Sequence, residues 1–180
     1  SALRTRSAVD LLKGLRPEIV RGNGSEILAL AGSAGTSKGV DSLHTSFQAS
    51  AEARALCQTW GCAIAVSGPV DVITDGTRTW CVRNGHPLMA RVTGMGCTAT
   101  ALVGAFAAVN PDPFQAALHG LAVTGVCGEV AASRAHGPGS LQVAFLDQLH
   151  LLSRSELTAR LQVESCPNGT NQSSYEPSQL

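Results

Sequence analysis

The chain has 180 residues with 13 Lys+Arg against 13 Asp+Glu, a formal charge of zero and a pI near 6.9. That balance leaves no electrostatic footprint for a polyanion and disfavours nucleic-acid binding. Hydrophobic residues make up 44%, charged residues 14% and aromatics 4%, with 19 glycines; one compact α/β unit with closely packed small-residue helices fits this better than a β-sandwich. No window reaches the roughly 18 consecutive apolar residues of a membrane span, and the first residues carry Arg4, Arg6, Asp10, Lys13 and Arg16 instead of an apolar signal core. The six cysteines (Cys57, Cys62, Cys81, Cys97, Cys127, Cys166) form no C-x-x-C pair and mostly sit in apolar runs. They read as small hydrophobes in a reducing, cytoplasmic setting.

In chain order, Ala8, Leu11, Leu12 and Leu15 have helical spacing, closed by Arg16-Pro17. Glu18-Ile19-Val20 reads as a buried parallel strand, and after Gly22-Asn23-Gly24 a helix is expected over Ser25 to Leu30, capped by Ser25. Ala31 to Leu43 is glycine-rich and reads as a loop, followed by a helix over Ser46 to Trp60. Cys62 to Val66 has the uninterrupted apolar character of a central strand buried on both faces, ending at Ser67-Gly68-Pro69. Val70 to Thr74 and Thr77 to Val82 predict two strands about the Asp75-Gly76 turn. Pro87 to Val92 reads as extended, and Thr93-Gly94-Met95-Gly96-Cys97 as a glycine turn feeding a buried helix over Thr98 to Val109. Further helical stretches are expected over Phe114 to Ala135, Ser140 to Leu152 and Glu156 to Val163. Residues 164–180, rich in Ser, Asn, Gln and Pro, read as a disordered tail.

Three places suit chemistry. The Gly94 to Cys97 turn lets backbone amides converge at the positive end of a helix, an arrangement that cradles anions; the plainer reading is that the glycines allow close packing. Cys97, at that helix start, is a candidate base or nucleophile, although many cysteines are inert. Arg21-Gly22-Asn23-Gly24-Ser25-Glu26 leaves a strand and opens a helix, where open α/β sheets bind ligands. There Arg21 suits phosphate and Glu26 a metal through water, against the alternative of a solvated helix cap. Ser67 ends a second central strand, where its hydroxyl either faces the same cleft or simply belongs to a turn. The histidines have no metal-ligand spacing and read as satisfied surface or core residues.

These motifs, with Lys38-Gly39-Val40-Asp41-Ser42, Val72-Ile73-Thr74-Asp75-Gly76, Asn84-Gly85-His86-Pro87-Leu88-Met89 and Gly137-Pro138-Gly139-Ser140, follow one another in an order that resembles the hydroxyethylthiazole kinases, a branch of the ribokinase-like superfamily. The resemblance implies a ribokinase-like α/β fold over residues 1–163, with a mainly parallel central sheet and helices on both faces. It also implies that the N-terminal third of such an enzyme is missing. The implied reaction is ATP-dependent phosphorylation of the hydroxyethyl group of 4-methyl-5-(2-hydroxyethyl)thiazole, with Mg²⁺, in a cytoplasmic homotrimer. By resemblance Arg21 and Ser67 contact ATP, Gly94 lies at the substrate, the Gly94-Met95-Gly96-Cys97 turn holds the migrating phosphoryl group, Glu26 belongs to the metal network and Cys97 is the base. The sequence departs from the family pattern at Gly24, where Ala is usual, and at Pro69, where Glu is usual. Phosphorylation of another small alcohol, such as hydroxymethylpyrimidine, and a non-catalytic binding or assembly role remain alternatives.

Overall fold

A computed structural model describes residues 2–32 and 42–166. Helix α1 (Ala2–Leu15) ends where Arg16 adopts a φ of 47° ahead of Pro17, whose ring disfavours a helical residue before it. Strand β1 (Ile19–Asn23) then runs straight into α2 (Gly24–Leu30). The cap of α2 is Asn23 and not Ser25: Glu26 N–H donates to Asn23 Oδ1 at 2.9 Å, and Asn23 N–H donates to Glu26 Oε2 at 2.8 Å. This reciprocal pair satisfies two amides at once, which a serine two residues later cannot do. Residues 33–41 of the expected loop lie outside the described residues, and α3 occupies Ser42–Trp60.

Strands β2 (Ala63–Ser67), β3 (Asp71–Thr74) and β4 (Thr79–Val82) follow, and β5 (Val163–Ser165) completes a sheet ordered β1-β2-β3-β4-β5. Only β1 and β2 pair parallel; the other three pairs are antiparallel. The α/β architecture expected from sequence is present, but the parallel character is confined to the one pair with a helical crossover, supplied by α2 and α3. The loops at 68–70 and 75–78 are too short to cross a sheet, so they force hairpins.

Alternation along β2 builds the two layers. Ile64 and Val66 face α2 and α3 with Ile27, Leu56 and Cys57, whereas Ala63 and Ala65 face α4 (Met95–Ala107) and α5 (Pro113–Ala132) with Val103, Leu118 and Leu121. Helix α5 is buried nearly all round, as its uniformly apolar sequence demands. A Cβ on its Gly120 would lie 2.8 Å from the Val103 backbone, so α4 approaches closer than alanine permits. Helix α4 itself is less buried than its sequence suggested: only Ala99 and Val103 are inaccessible. Residues Pro87–Arg91 form a 3-10 turn rather than an extended run, because Pro87 pre-sets the first helical φ and His86 Nδ1 accepts the Leu88 N–H.

Helices α6 (Pro138–Leu151) and α7 (Arg154–Arg160) bring the chain back to the sheet. The expected tail boundary at 164 is too early. Glu164 and Ser165 belong to β5, and Cys166 forms a disulfide with Cys81 of β4 across a Cα separation of 5.4 Å. These two cysteines are therefore a cross-link rather than the small free hydrophobes expected. Residues 167–180 lie outside the described residues.

Candidate active site

The parallel register sets Arg21 beside Ala65 and Asn23 beside Ser67, so the ends of β1 and β2 open on the same side. Because Val20 points to the α2/α3 layer, Arg21 points to the other face, where α4 begins. Its guanidinium bridges two elements. Nη2 donates to Ser67 Oγ at 2.6 Å and Nη1 donates to the Gly96 carbonyl at 3.2 Å. That carbonyl also accepts the Thr100 hydroxyl at 3.0 Å. Glycine at 96 is required by this approach, since a Cβ there would stand 2.9 Å from Arg21 Nη1. Gly94 caps α4 with φ of 88°, the left-handed conformation that glycine adopts without penalty. The turn then presents the amides of Gly96 and Cys97, which have no carbonyl four residues earlier within the helix.

Two cavities meet at this wall. One, of about 790 Å³, opens beyond the strand ends and is lined by Arg21, Ser67, Asp71, His86, Met95 and Gly96 among others. The second, of about 700 Å³, lies between α1, α2 and the start of α4. It is lined by Leu11 and Leu12 on its apolar side and by Arg21, Glu26, Cys97 and Thr100 on its polar side. Arg21 and Gly96 border both cavities, Ser67 only the first, and Glu26 and Cys97 only the second. The structure thus joins Arg21, Ser67 and Gly96 by hydrogen bonds and sets Glu26 and Cys97 on the far side of the same wall. Gly94 is exposed at the head of the turn and borders neither cavity.

Electrostatics separate the candidates further. Burial pushes the thiols of Cys57 and Cys127 up to about 12, which removes them as nucleophiles near neutrality. Cys97, by contrast, is the exposed free cysteine among the described residues. Burial also pushes the Asp71 carboxyl up to about 7, against the lowering effects of the Gly68 N–H and the Arg21 charge. His119 departs from the expectation of a satisfied histidine: it is 2% exposed, its ring stands edge-on to Phe106, and Nε2 is buried with no hydrogen-bond partner. Desolvation lowers its pKa, so it stays neutral there.

No cluster of three or more His, Cys, Asp or Glu able to hold a metal occurs among the described residues. Magnesium needs no such cage, since it keeps its waters and binds through one or two carboxylates plus substrate phosphates. Exposed Glu26, already oriented by the Asn23 amide and bordering a cavity shared with Arg21, fits that mode.

Two residues had no role assigned from the sequence, although Asn84 stood in one of its motifs. Asp71 lines the first cavity and accepts the Gly68 N–H at 2.8 Å; Pro69, which cannot donate, was the available hint that a side chain must close this loop. Asn84, also on that cavity, is buried and donates to the Glu129 carboxylate at 3.1 Å and to the Arg160 carbonyl at 2.9 Å, while accepting Gln162 N–H at 2.7 Å. Its partners come from α5 and from the end of α7, and nothing local in the sequence links them.

The hydroxyethylthiazole kinase family model matches residues 1–155. The chain is 54% identical over 164 residues to a hydroxyethylthiazole kinase of Nitratidesulfovibrio vulgaris strain DP4, covering 91% of this chain and 61% of that protein. It is 58% identical over 154 residues to the corresponding enzyme of Granulibacter bethesdensis, covering 86% of this chain and 56% of that protein. In three dimensions it is similar to the hydroxyethylthiazole kinase of Pyrococcus horikoshii OT3, with a TM-score of 0.81 at 32% identity over 92% of this chain and 61% of that one. The chain thus spans less than two thirds of these relatives. With a matching family model over most of its length and Arg21, Ser67 and the glycine turn gathered at one wall, the chain belongs to the hydroxyethylthiazole kinase family.

Proposed function

We propose that this chain supplies the phosphate-handling part of an ATP-dependent kinase acting on the hydroxyethyl group of 4-methyl-5-(2-hydroxyethyl)thiazole, a step in making thiamine. The observation that carries this reading is the Arg21 guanidinium held between Ser67 Oγ and the Gly96 carbonyl, at the mouth of an amide-bearing turn. A fixed planar cation beside helix-start amides is suited to phosphate oxygens. Arg21 and Ser67 bind the nucleotide from the strand-end cavity. The Gly96 and Cys97 amides receive the migrating phosphoryl group, and the alcohol approaches from the side of Cys97. Cys97 Sγ is the base that takes the hydroxyl proton as the alcohol oxygen bonds to the γ-phosphorus and the bond to the ADP oxygen breaks. Mg²⁺ carried with the nucleotide supplies charge neutralisation, and Glu26 is the carboxylate positioned to hold it through water.

Positioning and charge compensation do most of the work in such transfers, because the transition state asks for little covalent help from the protein. A cytoplasmic homotrimer is the accompanying proposal, tested by light scattering of the purified protein and by its cellular fractionation. The deciding experiment measures ADP release with Mg²⁺-ATP and a panel of small alcohols. Turnover with the thiazole alcohol well above that with hydroxymethylpyrimidine supports the reading; nucleotide binding without transfer to any alcohol overturns it in favour of a binding role.

A further inference from the structure

The loop between β2 and β3 is closed in an unusual way. Its residues are Gly68, Pro69 and Val70, and Pro69 has no N–H to offer. The hydrogen bond that ties the start of the loop to its end runs from the Gly68 N–H to Asp71 Oδ1, at 2.8 Å. Asp71 is half-buried on the first residue of β3, paired across the sheet with Val82, so its backbone is fixed by the ladder. Gly68 is exposed and, without a Cβ, has the widest conformational freedom of any residue. It immediately follows Ser67, whose hydroxyl holds Arg21 Nη2 at 2.6 Å and lies 3.4 Å from the Gly22 carbonyl. A chain of contacts therefore runs from β3 through Asp71, Gly68, Ser67 and Arg21 to the Gly96 carbonyl at the head of α4.

We infer that Asp71 is a positioning residue for the nucleotide: through the Gly68 amide it fixes the end of β2 so that Ser67 keeps the Arg21 guanidinium aimed at the phosphate site. The inference rests on the nucleotide reading given above. The role inferred for Asp71 is that of a hydrogen-bond acceptor, with Oδ1 engaged by the Gly68 amide, and the variants below separate it from a role in charge or metal binding. A carboxylate charge beside a triphosphate would by itself repel the ligand. Burial of the group and the neighbouring Arg21 both limit that repulsion.

The acceptor and charge roles separate in two variants. Asp71→Asn keeps an acceptor oxygen of the same reach and removes the charge; Asp71→Ala removes both. The assay is calorimetric titration of the purified chain with ATP, alongside thermal denaturation and amide exchange at Gly68. Asp71→Ala should bind ATP about tenfold more weakly, the usual scale for losing one hydrogen bond that involves a charged group, and should expose the Gly68 amide to faster exchange. Asp71→Asn should bind ATP at least as well as wild type and keep Gly68 protected. Equal weakening in both variants would assign the effect to charge or metal binding and overturn the inference. So would wild-type ATP affinity in Asp71→Ala, with or without a lowered Tm. A wild-type chain that binds no ATP refutes the nucleotide reading itself, a result distinct from either pattern among the variants.

Discussion

Substituting Gly96 by alanine should weaken nucleotide binding while leaving the fold as stable as before or slightly more so. Gly96 lies in the first turn of α4 and is not among the positive-φ glycines, so alanine fits its backbone. The added Cβ would stand 2.9 Å from Arg21 Nη1 and 3.5 Å from Nη2. What yields is the far end of a flexible side chain, not the helix. Arg21 then surrenders its 3.2 Å contact with the Gly96 carbonyl and shifts relative to Ser67. The Gly96 carbonyl keeps the Thr100 hydroxyl and the released guanidinium N–H turns to water in the open cavity, so the fold itself loses little. The misaimed guanidinium forfeits a charge-assisted bond to a phosphate oxygen, worth about 1.5–3 kcal/mol, so ATP should bind roughly 10- to 150-fold more weakly. In the opposite direction, alanine is favoured over glycine inside a helix by up to about 1 kcal/mol. Calorimetric titration with ATP and a thermal melt on the same sample read the two effects separately. Gly96→Ala binding ATP within twofold of wild type would refute the role assigned to Arg21, and a joint fall of affinity and Tm would show that α4, not the guanidinium, had moved.

Two further outcomes follow from the same geometry. Cys97→Ala should leave ATP affinity and Tm unchanged yet slow transfer to the alcohol by up to about 10²- to 10⁴-fold, with Cys97→Asp retaining activity because a carboxylate also accepts the proton; wild-type turnover in the alanine variant would make the thiol merely structural. For Asp71, a carboxyl raised from 3.8 to about 7 in the fold binds more protons folded than unfolded across that interval. Stability should therefore fall as pH rises from about 4 to 7 and level off above. Melts of wild type and Asp71→Asn across that range check the sign, and a wild-type slope no more negative than that of Asp71→Asn would refute it.

How far the sequence reveals the site depends on whether a residue acts through its immediate neighbours or through the fold. Arg21 and Ser67 were legible because both follow apolar strand runs, and the ends of adjacent parallel strands are where α/β folds open clefts. The turn at Gly94 to Cys97 was legible because glycine pairs before an apolar run announce a tight helix start. Asp71, Asn84 and the Cys81–Cys166 cross-link were not, because each depends on pairing between distant segments: β5 must lie against β4 before Cys166 meets Cys81, 85 residues away. The sheet's direction was misjudged for a related reason. The tight turn at Asp75-Gly76 was legible and does join antiparallel β3 and β4. Apolar runs, however, show only that a strand is buried, whereas its sense depends on connection length, and the loop at 68–70 leaves no room for a crossover between β2 and β3.

Charge accounting supports the proposal that this wall takes a nucleotide arriving with its own cation. Among the described residues, the ionisable side chains on the strand-end cavity are Arg21, Asp71 and His86. Arg21 contributes one fixed positive charge, and the start of α4 adds roughly half a charge from its aligned peptide dipoles. Asp71 offsets part of this whenever it is ionised, and Glu26 stands just across the wall. Such a sum is far from the several negative charges of a triphosphate. On the proposed reading these residues act by direction rather than by bulk attraction: a guanidinium pinned at two points and amides held by a left-handed glycine would fix where phosphate oxygens sit. Glu26, held by the Asn23 amide on the other side of this wall, is the carboxylate proposed to hold the cation through water. Neutralisation would then be shared between protein and ligand, and the preorganisation this chain would contribute resides in the hydrogen bonds joining β1, β2 and α4.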